Sequence, residues 1–448
     1  MQQVKKIATA VLLGIFVFGL SLSLFNMTQA SLLGLIAFLV TLWTNEGLPL
    51  AVVSLLPIVL FPAFSILDTK ATAVNYSHPI IFLFLGGFLL AIAVEKSNLH
   101  IWFIDKILGF FTNTPRGMIF SLTFTSGILS SILSNTTTTL LLISIALFIT
   151  QDVKLKMRFA LAIAYGASIG GILTPIGTPP NLLLLGFMSD KGLEQIPFFQ
   201  WVWMVAPLAG LMFITVGFLL SAGISNMPIE RITQKNPLTP SQKKVLYILS
   251  ALVVLLFLNA PIQPFWNGLG LSEPSLMLFA GLVLFIPPLN ILNWMEDKNS
   301  IPYRIMFLFG AGFSIANAFG QTGLADKVAS YLVDMTHLSP LFLLLAVAIL
   351  ITFTTEITSN TALISIMLPV IYSVAEKTGM NTTLFMMVAT ICASYAFMLP
   401  IATPPNAIAM SSGAVDVKNM MRYGIVLNLA GIFFIVLIAE FFWKGIFS

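Results

Sequence analysis

Hydrophobic positions in this chain neither alternate with polar ones nor recur at the period of a surface helix; they run on with little interruption. The stretches 7–25, 30–43, 50–65, 79–95, 157–187, 200–223, 244–260, 275–291, 303–318, 382–412 and 419–443 carry at most a charge or two each. Such a stretch predicts a helix that is apolar on every side, suited to lipid or to the interior of a large protein. Roughly 20 such residues cross a bilayer. Two further apolar stretches, 115–150 and 340–376, are about 36 residues long and hold a polar Ser-Asn-Thr cluster at the middle. Each could be two full spans or a re-entrant hairpin. The polar midpoint favours the hairpin, because irregular backbone at membrane depth is tolerated only where it lines a cavity inside protein. The segments 98–112 and 322–334 mix apolar and charged residues and read as helices lying along a membrane surface. The pattern predicts an all-α polytopic membrane protein with 11 transmembrane helices plus two re-entrant hairpins.

A single shift superposes one half of this pattern on the other. Phe82-Leu83-Phe84-Leu85-Gly86-Gly87-Phe88 matches Phe307-Leu308-Phe309-Gly310-Ala311-Gly312-Phe313 at an offset of 225 positions. Pro49, Pro62 and Pro115 map to Pro274, Pro287 and Pro340 by the same offset. So do Ser134-Asn135-Thr136 to Ser359-Asn360-Thr361, and Thr178-Pro179-Pro180-Asn181 to Thr403-Pro404-Pro405-Asn406. Beyond the second motif the register slips by four, with Ala209-Gly210 against Ala430-Gly431. The chain reads as one lone helix and two homologous halves, divided at 1–112, 113–224, a polar linker 225–244, 245–336 and 337–448. The duplicated glycines at 86–87 and 310–312 read as close-packing positions.

Composition narrows the class. Of 448 residues 58% are hydrophobic and 8% charged, against roughly 25% charged in soluble proteins. That excludes a soluble enzyme, a nucleic-acid binder and a disordered scaffold, and makes the lipid bilayer the surrounding partner. The first segment is too long for a signal peptide and lacks a small-residue cleavage site, so it reads as a retained anchor. The one cysteine, Cys392, permits no internal disulfide, and His78, His100 and His337 lack metal-ligand spacing. An intramembrane enzyme would need a paired acid, a Ser–Lys couple or a His cluster within the span, and the sequence offers none.

Charge sets the expected topology. With the N-terminus cytoplasmic and each hairpin entering and leaving on one side, 16 of the 21 Lys and Arg fall inside. Lys70, Lys191, Lys327, Lys377 and Lys444 remain outside, and the C-terminus lies outside. Five spans per half is an odd number, so the halves are inverted. Inverted repeats whose broken helices meet near mid-membrane are the architecture of secondary transporters.

Two breaks per half carry the candidate chemistry: the hairpin tips, and Gly177-Thr178-Pro179-Pro180-Asn181 with Ala402-Thr403-Pro404-Pro405-Asn406. Consecutive prolines remove backbone donors and push the preceding residue out of helix, so the stretches 157–187 and 382–412 are expected to unwind there. Freed carbonyls suit a hard cation, and the half-helix N-termini suit an anion. Ser, Asn and Thr side chains serve both. No Lys or Arg lies beside either tip in sequence, and Glu356 is the one acid there, read as a structural acid more readily than as an ion ligand.

Two Ser-Asn-Thr tips, each followed by a Thr-Pro-Pro-Asn break, resemble the divalent anion:sodium symporter family of dicarboxylate carriers. The resemblance covers nearly the whole chain after the first helix. It implies a homodimeric elevator carrier with a scaffold and a moving transport unit, and the short loops without a large extra domain suit the plasma (inner) membrane of a bacterium. It also implies Na⁺-driven uptake of a C4-dicarboxylate such as succinate, malate or fumarate, with sulfate, citrate or phosphate carriage, or dicarboxylate exchange, as the alternatives. Carried over residue by residue, one Na⁺ site takes Ser130, Ser134, Asn135 and the Gly177 carbonyl. The other takes Thr355, Thr358, Asn360 and the Ala402 carbonyl. Substrate then meets Asn135, Thr136, Asn360, Thr361, Thr403 and Pro404, with Ser134, Ser359 and Thr178 at the edge. Exchangers of the family depart from these cation-site residues, which are intact here. The run Thr137-Thr138-Thr139 departs from the family's more usual pattern, which has an Ala within it.

Overall fold

The computed structural model describes residues 2–108, 111–224, 237–261, 265–335 and 339–447. His337 and most of the expected linker, 225–236, lie outside the described residues. The described chain is all-helical, and its helices come in pairs from the two halves. Four pairs begin 225 positions apart: Leu99–Leu108 with Leu324–Met335, Pro115–Ser130 with Pro340–Thr355, Asn135–Ile149 with Asn360–Lys377, and Pro179–Asp190 with Pro404–Ser411. Proline at the first helical position sets several of these starts, since its missing N–H would be unpaired there anyway. Pro115, Pro179, Pro340 and Pro404 all sit at helix starts.

Contacts between the halves are exchanged symmetrically. Pro79–Lys96 packs on Glu273–Val283, and its counterpart Tyr303–Gln321 packs on Leu50–Ala63. Likewise Pro179–Asp190 packs against Asn360–Lys377 and Thr382–Ser394, while Pro404–Ser411 packs against Asn135–Ile149 and Val153–Gly171. Each contact is the image of the other when the halves are interchanged. The duplicated glycines serve close packing, as expected. A Cβ at Gly86 would lie 2.3 Å from the Met277 carbonyl oxygen, and one at Gly310 would lie 2.2 Å from the Tyr76 ring. Helix Val153–Gly171 meets Pro115–Ser130 at Gly170, where a Cβ would stand 2.1 Å from the Gly127 oxygen.

The helix boundaries correct the sequence reading in three places. Stretch 275–291 is helical only over Glu273–Val283, because the chain turns back before the pair Pro287-Pro288. Stretch 50–65 is the 14-residue helix Leu50–Ala63, with Pro57 and Pro62 inside it. The stretches 157–187 and 382–412 are each divided at the paired prolines, as expected, into Val153–Gly171 with Pro179–Asp190 and Thr382–Ser394 with Pro404–Ser411. The linker ends earlier than position 244: Thr239 and Gln242 form a reciprocal capping box and the helix Pro240–Asn259 starts there. By length and apolarity alone, six described helices can cross a membrane, or seven when Tyr303–Gln321 and Leu324–Val333, bent by 70°, count as one. The count of eleven therefore is not met by length. The shortfall falls on helices that are cut short or divided.

The helices flanking the tips are also short, Pro115–Ser130 and Asn135–Ile149 with 16 and 15 residues, Pro340–Thr355 and Asn360–Lys377 with 16 and 18. Polar contacts link residues expected on one face with others of that face. Lys96 Nζ bonds Glu296 at 3.0 Å and Asp297 at 2.8 Å, Gln242 donates to the Asn98 carbonyl, and Lys244 donates to the Pro288 carbonyl. On the other face His78 Nε2 lies 3.2 Å from Asp190 Oδ1, and Lys377 donates to Ser330. Among the described residues no ion pair joins the two sets.

Candidate functional site

Both tips and both breaks line one cavity of about 800 Å³. Every site residue named from the sequence lines it except Ser130 and Thr355, which lie fully buried just behind. At the first tip Ser134 caps helix Asn135–Ile149 by accepting the Thr137 N–H at 3.1 Å. Ser130 Oγ donates to Asn135 Oδ1 at 2.6 Å. At the second tip Ser359 caps Asn360–Lys377, and Thr355 Oγ1 donates to Asn360 Oδ1, again at 2.6 Å. Thr358, in the cation set, donates its hydroxyl to the Thr354 carbonyl at 2.8 Å.

The breaks are held open by the asparagine of each Thr-Pro-Pro-Asn. Asn181 Nδ2 donates to the Thr174 carbonyl at 2.9 Å and to the Gly171 carbonyl at 3.4 Å. Asn406 Nδ2 donates to the Leu399 and Ala396 carbonyls, both at 3.0 Å. These are carbonyls that a continuous helix would have used, taken up by a side chain seven and ten residues on. Both asparagines are fully buried. The sequence marked them as part of the break and gave no sign of this stitching role.

The second break has a further clamp. Glu356 Oε1 accepts the Phe397 N–H at 2.8 Å, the Met398 N–H at 3.0 Å and Asn428 Nδ2 at 2.7 Å, while Oε2 accepts Met398 and Leu399. The carboxylate is 3% exposed, and each of its hydrogen bonds comes from a donor. In the first half the matching contact is simpler: Thr174 Oγ1 donates to the Ser131 carbonyl at 2.5 Å.

Oxygen atoms cluster where tip and break meet. A Cβ at Gly171 would lie 2.7 Å from Asn135 Oδ1, and a Cβ at Gly177 would lie 2.4 Å from the Gly171 oxygen. Ser130, Asn135, Gly171 and Gly177 thus form a small oxygen-lined cradle that any added side chain would fill. Hard oxygen ligands of this kind suit a cation such as Na⁺ and not a soft metal. Four helices, beginning at Asn135, Pro179, Asn360 and Pro404, start on the cavity wall. The positive dipole ends of all four favour an anion between them, and the helices starting at Asn135 and Asn360 add first-turn N–H groups, which the Pro-Pro starts at 179–180 and 404–405 lack. Charged side chains enter the lining only as Glu46 and Arg304, neither of which the tip-centred reading of the sequence had singled out.

A family model described as "Citrate transporter" matches residues 36–381. The "Sodium-dependent dicarboxylate transporter SdcS" of Staphylococcus saprophyticus is 30% identical over 468 residues, covering 96% of this chain and 90% of the relative. Its namesake from Staphylococcus aureus is 30% identical over 443 residues, covering 91% and 85%. Two solved transporters share the fold, both with a TM-score of 0.60. They are the Alcanivorax borkumensis YdaH transporter, 15% identical over 84% of this chain and 88% of that one, and Neisseria gonorrhoeae MtrF, 11% identical over 83% of each. These are membrane carriers and not enzymes, and on the extent of the family match and the identity across nearly the whole chain, this protein belongs to the citrate transporter family, together with the sodium-dependent dicarboxylate transporters.

Proposed function

We propose that the protein is a secondary active transporter that couples inward Na⁺ movement to uptake of a divalent anion, a C4-dicarboxylate above all. The observation that carries this is the convergence of four helix N-termini and two Asn–hydroxyl pairs on one cavity whose lining at the tips and breaks is uncharged. Ser130, Ser134, Asn135 and the Gly177 carbonyl would hold one Na⁺. Thr355, Thr358, Asn360 and the Ala402 carbonyl would hold the other. The anion would lie against Asn135, Thr136, Asn360, Thr361, Thr403 and Pro404, with Ser134, Thr178 and Ser359 at its edge.

Neutral donors make the anion site strong only while cations are bound nearby, which is a physical basis for coupling. Moving a dianion inward against 100 mV costs roughly 2 × 2.3 kcal/mol, and two Na⁺ cancel that charge. The relatives named for sodium and dicarboxylate support the choice of ion and substrate class. Short paired helices with polar tips support re-entrant hairpins. An elevator motion of 113–224 and 337–448 against a scaffold of 1–112 and 245–336, in a homodimer in a bacterial inner membrane, completes the proposal.

Radiolabelled succinate uptake into proteoliposomes tests it. Uptake under an inward Na⁺ gradient, absent under K⁺, is the expected result. Uptake that ignores Na⁺ but needs internal dicarboxylate would mean an exchanger. Failure with succinate but uptake of citrate, sulfate or phosphate would change the substrate and keep the machine. Topology has its own test: Cys392 is buried, so a Lys243→Cys variant carries one reactive thiol. It is expected to react with an impermeant maleimide from the cytoplasmic side only, and labelling from outside would overturn a cytoplasmic N-terminus.

A further inference from the structure

The lining of the cavity changes character along its length. Around the tips and breaks every polar side chain in the lining is neutral. Charge appears where Gln3, Trp43, Thr44 and Glu46 enter the lining, together with Arg304. Gln3 lies in the first turn of helix Gln2–Ser21 and Glu46 follows Met27–Asn45, so this part of the wall belongs to helix ends and forms a mouth on the face that holds the N-terminus. Asn45 Nδ2 donates to the Lys6 carbonyl at 3.0 Å, which ties those two ends together. Arg304 sits in the first turn of Tyr303–Gln321 and is exposed, and among the described residues neither it nor Glu46 makes an ion pair.

We propose that Arg304 determines charge selectivity at this mouth, gathering dianions from the N-terminal face, and that Glu46 opposes it. The inference rests on the transport reading above. A guanidinium inside the binding site would be costly to desolvate and would hold the anion too firmly for release. Placed at the mouth and left in water, it raises the local concentration of anions without joining the bound complex. Its pull scales with ligand charge, so a dianion gains over a monoanion of the same size. Arg304 is thus a specificity residue acting before binding. Its effect is confined to the face onto which this cavity opens. The plainer role, a membrane-face arginine whose stem covers apolar surface, would give neither salt dependence nor sidedness.

The test uses full-length protein in vesicles of the two orientations, with Na⁺ fixed and ionic strength varied with choline chloride. The probe is radiolabelled succinate, or whichever of citrate, sulfate and phosphate the wild type carries. At low ionic strength Arg304→Gln is expected to raise KM roughly three- to tenfold, the size one charge produces on a dianion about 8 Å away in water. The maximal rate should not change. Arg304→Lys should restore most of the effect, and Glu46→Gln should lower KM by a similar factor. All shifts should fade near 1 M salt, where the screening length falls to about 3 Å. They should appear only in vesicles that present the N-terminus to the substrate. An unchanged KM in Arg304→Gln on that face, a shift that survives high salt, or an equal shift on both faces would overturn the inference while leaving the transport reading intact. A wild type that moves none of these anions would overturn both.

Discussion

Asn135→Ala and Asn360→Ala are each expected to abolish Na⁺-driven uptake while the protein still folds and inserts. Each asparagine is the first residue of its helix and lines the cavity. Each holds its amide oxygen against a buried hydroxyl, Ser130 or Thr355, and on the proposed assignment that oxygen is a cation ligand while the amide hydrogens face the anion. Truncation therefore removes a cation ligand and a substrate donor at once. Hydrogen bonds to charged groups contribute about 1.5–3 kcal/mol each, so losing both predicts a fall on the order of 100-fold or more. The structural cost is smaller. Only one buried partner is orphaned, Ser130 in one half and Thr355 in the other, and Thr355 keeps its second bond to the Ala393 carbonyl at 2.8 Å. Uptake measured beside the melting temperature of purified protein separates the two effects. Wild-type uptake in either variant would overturn the site assignment.

Glu356→Ala should give the opposite profile, with damage to the fold before damage to transport. Its carboxylate collects three backbone N–H groups and the Asn428 amide inside the second break. Without it these donors have no acceptor, and those of Phe397 and Asn428 are buried away from water. Orphaned buried groups cost about 1–3 kcal/mol each, so the sum is a large part of the roughly 5–15 kcal/mol that holds an ordinary domain folded. Glu356→Gln fares little better, since one acceptor oxygen becomes a donor facing other donors. The expected readout is a sharply lowered melting temperature or loss of detergent-stable protein for both variants. Ser131→Ala, at the equivalent position, should melt near wild type, because only the Ser131 backbone carbonyl joins the Thr174 contact. A normal melting curve for Glu356→Ala would show that the break holds itself open without the clamp.

The duplicated tips and breaks were legible in the sequence because polar residues and paired prolines are rare in an apolar field, and a constant offset makes each rarity confirm the next. Helix ends inside uniformly apolar stretches were not legible from hydropathy. Hydropathy alone does not stop 275–291 at Val283; the signal is the pair Pro287-Pro288 a few residues on, which the hydropathy reading passed over. The four asparagines show the same divide. Asn135 and Asn360 were placed at the tips by motif, whereas the turn of Asn181 and Asn406 back onto carbonyls seven and ten residues earlier exists only once the helix has broken. Glu356 stood out as the lone acid beside a tip, but its partners lie 41–43 and 72 residues further along the chain. Arg304 was one more charge at a helix end until the fold opened the cavity beside it.

The exchanged contacts between the halves bear on how such a protein is made. When residue 224 has left the ribosome, Pro179–Asp190 has been synthesised, but the surfaces it packs on, Asn360–Lys377 and Thr382–Ser394, have not. The first half must wait in the membrane with that short helix unaccompanied, and Asn135–Ile149 must wait for Pro404–Ser411. Neither half can finish alone, so the cavity between the tips is closed by the second half of the chain. A nascent chain stalled midway would thus be an inserted but unfinished carrier, a natural target for membrane quality control.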